Sequence, residues 1–138
     1  MSNHQPRNLV FKVFLLTALL GIFLSGCNSQ SAQVSHLRVT NDGSITINNL
    51  VVRFPQDRIE FGSVPAGTTT EYKGVPNGVF AYAAYEFDVE GEIFTQPVTD
   101  WVGESPMSGI LFTYTIDFDP NRTNTGDRIR LIEVKNDD

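Results

Sequence analysis

Ile110-Leu111-Phe112-Thr113-Tyr114-Thr115-Ile116-Asp117-Phe118 is the most regular stretch of the chain. On a β-strand, successive side chains point to opposite faces, so Ile110, Phe112, Tyr114, Ile116 and Phe118 would share one face and Leu111, Thr113, Thr115 and Asp117 the other. One set is wholly apolar and the other carries hydroxyls and an acid. The pattern predicts a strand with one face in a core and the other mostly wet.

The same signature repeats on either side. Turn-forming residues arrive at Asn41-Asp42-Gly43, Pro55-Gln56-Asp57, Pro65-Ala66-Gly67, Pro76-Asn77-Gly78, Glu90-Gly91, Ser105-Pro106 and Asp119-Pro120-Asn121. Between them lie segments rich in Val, Ile, Thr, Phe and Tyr, the pattern of an all-β sandwich or barrel. Val79 to Glu90 reads as one strand. Val79, Ala81, Ala83, Tyr85, Phe87 and Val89 line one face, and Phe80, Tyr82 and Ala84 give way to Glu86, Asp88 and Glu90 on the other. A two-residue turn at Glu90-Gly91 would set Phe87 opposite Phe94 and Glu86 opposite Thr95. The expected fold is a single antiparallel β-sandwich of seven or eight strands in two packed sheets. No helical pattern of useful length and no fixed-period repeat follow residue 35.

Ahead of this domain the chemistry changes. Arg7 and Lys12 precede an uncharged run, Val13 to Leu24, which ends in the small residues Ser25 and Gly26. A basic segment, an apolar segment and a small-residue site in that order mark a secretory signal. The apolar run is shorter than the roughly 18–20 residues of a permanent membrane span. Leu24-Ser25-Gly26-Cys27 resembles the lipobox of bacterial lipoproteins. That resemblance implies a diacylglyceryl group on the Cys27 thiol and cleavage before this residue. Cys27 is the only cysteine and sits before the polar stretch Asn28-Ser29-Gln30-Ser31-Ala32-Gln33, outside any plausible core. The organisation expected is a signal peptide over 1–26, beginning as a helix, a lipidated cysteine and flexible tether over 27–35, and the sandwich over 36–138.

Cleavage would remove two basic residues and no acids. The mature chain then carries 8 Lys and Arg against 16 Asp and Glu, a formal charge of −8. Nucleic acid and anionic membrane surfaces are poor partners for such a domain.

The chemistry-bearing residues are sparse. The mature chain holds one histidine, His36, where the tether meets the first strand, so neither a His-dependent nucleophile nor a zinc site is easily built. No cofactor is implied. Glu86, Asp88 and Glu90 would project from one strand face at intervals of about 6.5–7 Å, a spacing that suits solubility, a basic partner or Ca²⁺. Asp117-Phe118-Asp119-Pro120-Asn121 opens like a calcium loop, but Arg122 and Arg128 occupy the positions that need Gly and Glu. It reads as a hairpin loop. Asp100-Trp101-Val102-Gly103-Glu104-Ser105-Pro106-Met107 holds the only tryptophan. Trp101 and Glu104 are candidates for recognition of a protein or sugar, or Trp101 plugs one end of the sandwich.

Phe61-Gly62-Ser63-Val64-Pro65-Ala66-Gly67-Thr68-Thr69-Thr70-Glu71-Tyr72 resembles a strand-turn-strand passage of bacterial immunoglobulin-like domains. With the lipobox, the chain is similar to small envelope lipoproteins of unknown function. The resemblance implies a fold and an address, and no catalytic residue. The function expected is a non-enzymatic, membrane-anchored binding or structural module that contacts an envelope protein or polymer. It would use Glu86, Asp88 and Glu90 or the Trp101 loop. The alternatives are a carboxylate-based hydrolase acting on an envelope carbohydrate and a calcium-stabilised adhesion-type domain. Asn28 after the cysteine differs from the aspartate of an inner-membrane retention signal. In a cell with two membranes this favours the outer one, with the domain facing the periplasm.

Overall fold

In the computed structural model, residues 33–98, 100–123 and 127–138 are described. The signal segment, Cys27 and the tether up to Ala32 lie outside the described residues. Eight strands follow: β1 (Ser35–Asn41), β2 (Ile47–Arg53), β3 (Arg58–Val64), β4 (Lys73–Val75), β5 (Ala84–Val89), β6 (Glu92–Gln96), β7 (Leu111–Phe118) and β8 (Ile129–Asn136). They form two four-stranded sheets with orders β4-β1-β7-β8 and β3-β2-β5-β6. The fold is all-β, a two-sheet sandwich.

β1, β5 and β7 form where buried residues recur at period two, and a cluster of turn formers follows each. In β7, Phe112, Tyr114, Ile116 and Phe118 are buried, as the alternation requires. They meet Leu37 and Val39 of β1, Leu50 and Val52 of β2, and Tyr85 and Phe87 of β5 in one continuous core. Full burial of such side chains contributes about 1.5–3 kcal/mol each.

The β5–β6 hairpin has the predicted register, with Phe87 opposite Phe94 and Glu86 opposite Thr95. Glu90 (φ 53°) and Gly91 (φ 86°) are both left-handed. That is the two-residue turn whose twist matches the strands it joins.

Two expectations are corrected. The strand expected over Val79 to Glu90 begins only at Ala84. Val79, Phe80 and Ala83 are buried, but Ala81 is exposed, so the period breaks. The carbonyls of this stretch are taken by other partners. Val79 O accepts the Met107 N–H at 2.7 Å, and Phe80 O accepts the Tyr114 hydroxyl. Second, the sheets are not wholly antiparallel. β1 runs parallel to β7, with His36 beside Leu111 and Asn41 beside Ile116.

β1, β3, β5 and β7 run away from the end where the described chain enters, and β2, β4, β6 and β8 return to it. The connections 54–57, 76–83 and 97–110 therefore gather at this entry end. At the far end, Asn41 is fully buried. Its amide donates to Ile45 O at 2.8 Å and Val64 O at 2.9 Å, and its Oδ1 accepts the Gly43 N–H at 3.1 Å. A buried polar group is tolerable only when satisfied in this way.

Candidate functional site

The 97–110 connection is fixed at several points along its length. The Tyr82 hydroxyl donates to Asp100 O at 2.9 Å, the Glu104 N–H closes a turn on Trp101 O at 3.2 Å, and the Met107 N–H reaches Val79 O. Gly103 (φ 81°) occupies the third position of that turn, where a left-handed conformation is needed. The Val102 N–H donates to Asp100 Oδ1 at 2.7 Å, leaving the Val102 side chain at the tip, 90% exposed.

Trp101 is half-buried. Its ring stacks on Tyr82 with centroids 4.9 Å apart, and it meets Phe80 nearly perpendicularly at 5.3 Å. Phe80 stacks in turn on Phe54, which meets the Tyr114 ring edge-on at 6.2 Å. Such pairs contribute about 0.5–1.5 kcal/mol beyond their buried area. Trp101 thus plugs the entry end while keeping part of its ring outside.

Two clefts flank it. One of about 270 Å³ is lined by Arg53, Pro55, Glu86, Gln96, Val98 and Trp101, among others. The other, of about 340 Å³, is lined by Pro55, Gln56, Asn77, Phe80, Trp101, Glu104 and Pro106. Trp101 and Pro55 belong to both and form the ridge between them.

Much of the polar capacity around these clefts is already used. The Asn77 amide donates to Asp57 at 3.0 Å, Gln96 bonds the backbone of Ile129, and Arg53 pairs with Glu86 at 2.7 Å. Burial, and next the nearby Glu104 carboxylate, push the Tyr82 phenol above its usual range. The site offers apolar and aromatic contact more than acid–base chemistry.

Glu86 and Asp88 alternate on the outer face of β5 as expected, and Glu90 lies in the adjoining turn. They do not make a free acidic surface. Glu86 accepts from Arg53 and, at 3.2 Å, from Arg58, which also pairs with Glu60. This network spans three strands over the buried Val51, whose cross-strand neighbours are Glu60 and Glu86. The Arg53 and Arg58 guanidiniums hold the Glu86 carboxyl below its ordinary value, the opposite of what a general acid needs. Asp88 accepts from the Asn49 amide.

In the 117–128 segment the carboxylates are likewise met by arginines. Asp117 pairs with Arg130 at 2.9 Å, and Arg122 pairs with Asp127 at 2.6 Å and Asp119 at 3.7 Å. The segment joins antiparallel neighbours β7 and β8, as a hairpin loop does. Among the described residues, no group of three His, Cys, Asp or Glu is placed to hold a metal ion. His36 stands on the outward face of β1, with Nδ1 enclosed and unpartnered among the described residues.

One cluster has no sequence signal. On the outer face of the β4-β1-β7-β8 sheet, Asp137 accepts from Tyr72 at 2.8 Å, Lys135 at 2.7 Å, Arg38 at 3.5 Å and the Thr113 hydroxyl. The Arg38 guanidinium lies 4.7 Å from the Tyr72 ring centre. Lys135 and then the hydroxyl donors hold Asp137 well below the carboxylate range. The cluster joins residues far apart in the chain and reads as structural.

No protein-family model, no curated protein and no solved structure matches this chain.

Proposed function

We propose that the chain is a bacterial lipoprotein precursor, cleaved before Cys27 and anchored by lipid on that residue. Its immunoglobulin-like sandwich serves as a non-catalytic binding or structural module of the cell envelope. The observation that carries the reading is Leu24-Ser25-Gly26-Cys27 at the junction between an apolar run and a polar one. Two or more acyl chains on one residue hold a protein stably, since each buried methylene contributes about 0.8 kcal/mol. The contact surface is the entry end around Trp101 and Val102. The alternating acids are a weaker candidate, because Glu86 is already neutralised by two arginines. The same ion pairs weigh against a carboxylate-based hydrolase, which needs one carboxyl raised and free to give its proton. In a two-membrane cell the address is the outer membrane, facing the periplasm.

The test is fractionation of cells that make the native chain or Cys27→Ser, with mass spectrometry of the N-terminal peptide of the mature protein. The native protein is expected in the membrane fraction after a salt wash, carrying a lipid-sized mass on Cys27. Membrane retention of Cys27→Ser, or an unmodified Cys27, overturns the reading.

A further inference from the structure

We propose that the Trp101–Val102 loop seats the entry end of the sandwich on a zwitterionic phospholipid surface, as a second and weaker membrane contact beside the lipid on Cys27. The proposal rests on the anchoring reading above and names the partner of the same surface.

The argument starts from where the tether enters. Ser35 begins β1, its hydroxyl donates to Gly109 O at 3.2 Å, and it pairs with Val75. Val75 leads through the turn at Gly78 to Val79, which is bonded to Met107, and Phe80 then meets Trp101. The point of entry and the Trp101 loop therefore share one end of the sandwich. Seven residues lie between Cys27 and Ser35, so the eight steps from one to the other span at most about 29 Å even fully extended. A lipid on Cys27 keeps this end within that distance of the bilayer.

The residues at this end suit an interface. Val102 and Val34 are two of only four large hydrophobic side chains left exposed among the described residues. Pro55 and Pro106 line the clefts beside the tryptophan. Trp is the side chain most at home where one edge meets water and the other hydrocarbon. Charge then selects the surface. Asp57, Asp100 and Asp138 sit at this end, each holding N–H donors of its own chain, and Glu104 adds a further carboxylate. An anionic leaflet would repel this end, and a zwitterionic one would not.

Because Trp101 is the only tryptophan, its fluorescence reads the contact directly. The full lipoprotein, purified in detergent, is reconstituted into phosphatidylcholine vesicles whose acyl chains are either brominated or not. Flotation reports anchoring and bromine quenching reports the contact. Native protein is expected to float and to lose Trp101 emission only in brominated vesicles. Val102→Asp should float equally, keep its emission maximum in detergent, and lose most of the quenching. Failure to float overturns the anchoring reading and this proposal with it. Protein that floats unquenched, or a Val102→Asp variant quenched like the native chain, overturns the proposal alone and leaves the Trp101 end to a protein or polymer partner.

Discussion

The side-chain amide of Gln96 binds both backbone polar groups of Ile129: its Nε2 donates to Ile129 O and its Oε1 accepts the Ile129 N–H, each at 2.8 Å. Gln96 ends β6, at the edge of one sheet, and Ile129 begins β8, at the edge of the other. A side chain here does what a neighbouring strand would do, and it joins the two sheets along their open flank. Close by, the Arg128 guanidinium lies 5.0 Å from the Phe94 ring centre. Gln96→Ala should cost about 1–3 kcal/mol, because two part-buried backbone groups lose their partners together. Urea unfolding checks this. Gln96→Glu should cost a similar amount at neutral pH, where a carboxylate cannot donate to Ile129 O, and recover part of it in acid.

Tyr114→Phe removes the donor to Phe80 O from a fully buried position. The expected cost is about 1–3 kcal/mol, with Tm falling by about 4–8 °C per kcal/mol in a domain of this size. Because Phe80 packs on Trp101, acrylamide quenching of Trp101 should rise in the same variant. Unchanged quenching would mean that the 79–83 segment is held by its other contacts alone.

Asp137 gives stability a defined pH dependence. Its folded-state pKa lies below the unfolded value of about 3.9. Its contribution is therefore complete at neutral pH and is lost as pH falls from about 5 through the folded value. Asp137→Asn should lower stability at pH 7 by about 1–2 kcal/mol. It should also flatten the acid limb of a Tm-against-pH curve, leaving the neutral plateau level.

Glu90 is left-handed with a Cβ that this region disfavours. Glu90→Asn should stabilise the domain by about 0.5–1 kcal/mol without moving the register, since Asn-Gly suits this turn type. A denaturation midpoint that falls would contradict the turn geometry.

Glu86→Lys should cost about 1 kcal/mol, since it exchanges two exposed ion pairs for a third cation beside Arg53 and Arg58. Added salt should shrink the difference between the variant and the native protein.

What the sequence made legible was local. Six of the seven turn clusters sit at the ends of strands, because Pro, Gly, Asn and Asp act on their own backbone. The Phe87–Phe94 register followed from turn length alone. Residues 79–83 were misread because burial and strand composition look alike. Only partners far along the chain, Met107 and Tyr114, show that their carbonyls are spent outside a ladder. The sheet order and the Asp137 cluster were invisible for the same reason, Arg38 and Asp137 being 99 residues apart. At the candidate site, the sequence marked Trp101 and Glu104. It did not show Tyr82 beneath the indole or the two arginines on Glu86.

The parallel pairing of β1 with β7 also orders events in time. The β3-β2-β5-β6 sheet draws on one contiguous stretch, Ile47 to Gln96, and its hairpins can close as soon as that stretch is available. The other sheet joins Ser35–Asn41 to Leu111–Phe118, so β1, which finds β4 for one edge earlier, waits on its other edge for a partner 75 residues further along the chain. Non-local pairing of this kind is slow to form. A chain that emerges N-terminus first would do so with β1 paired on its β4 edge alone and one sheet half-built. That interval is when a chaperone would have the most to bind, and variants that slow β7 should lengthen it before they alter the finished protein.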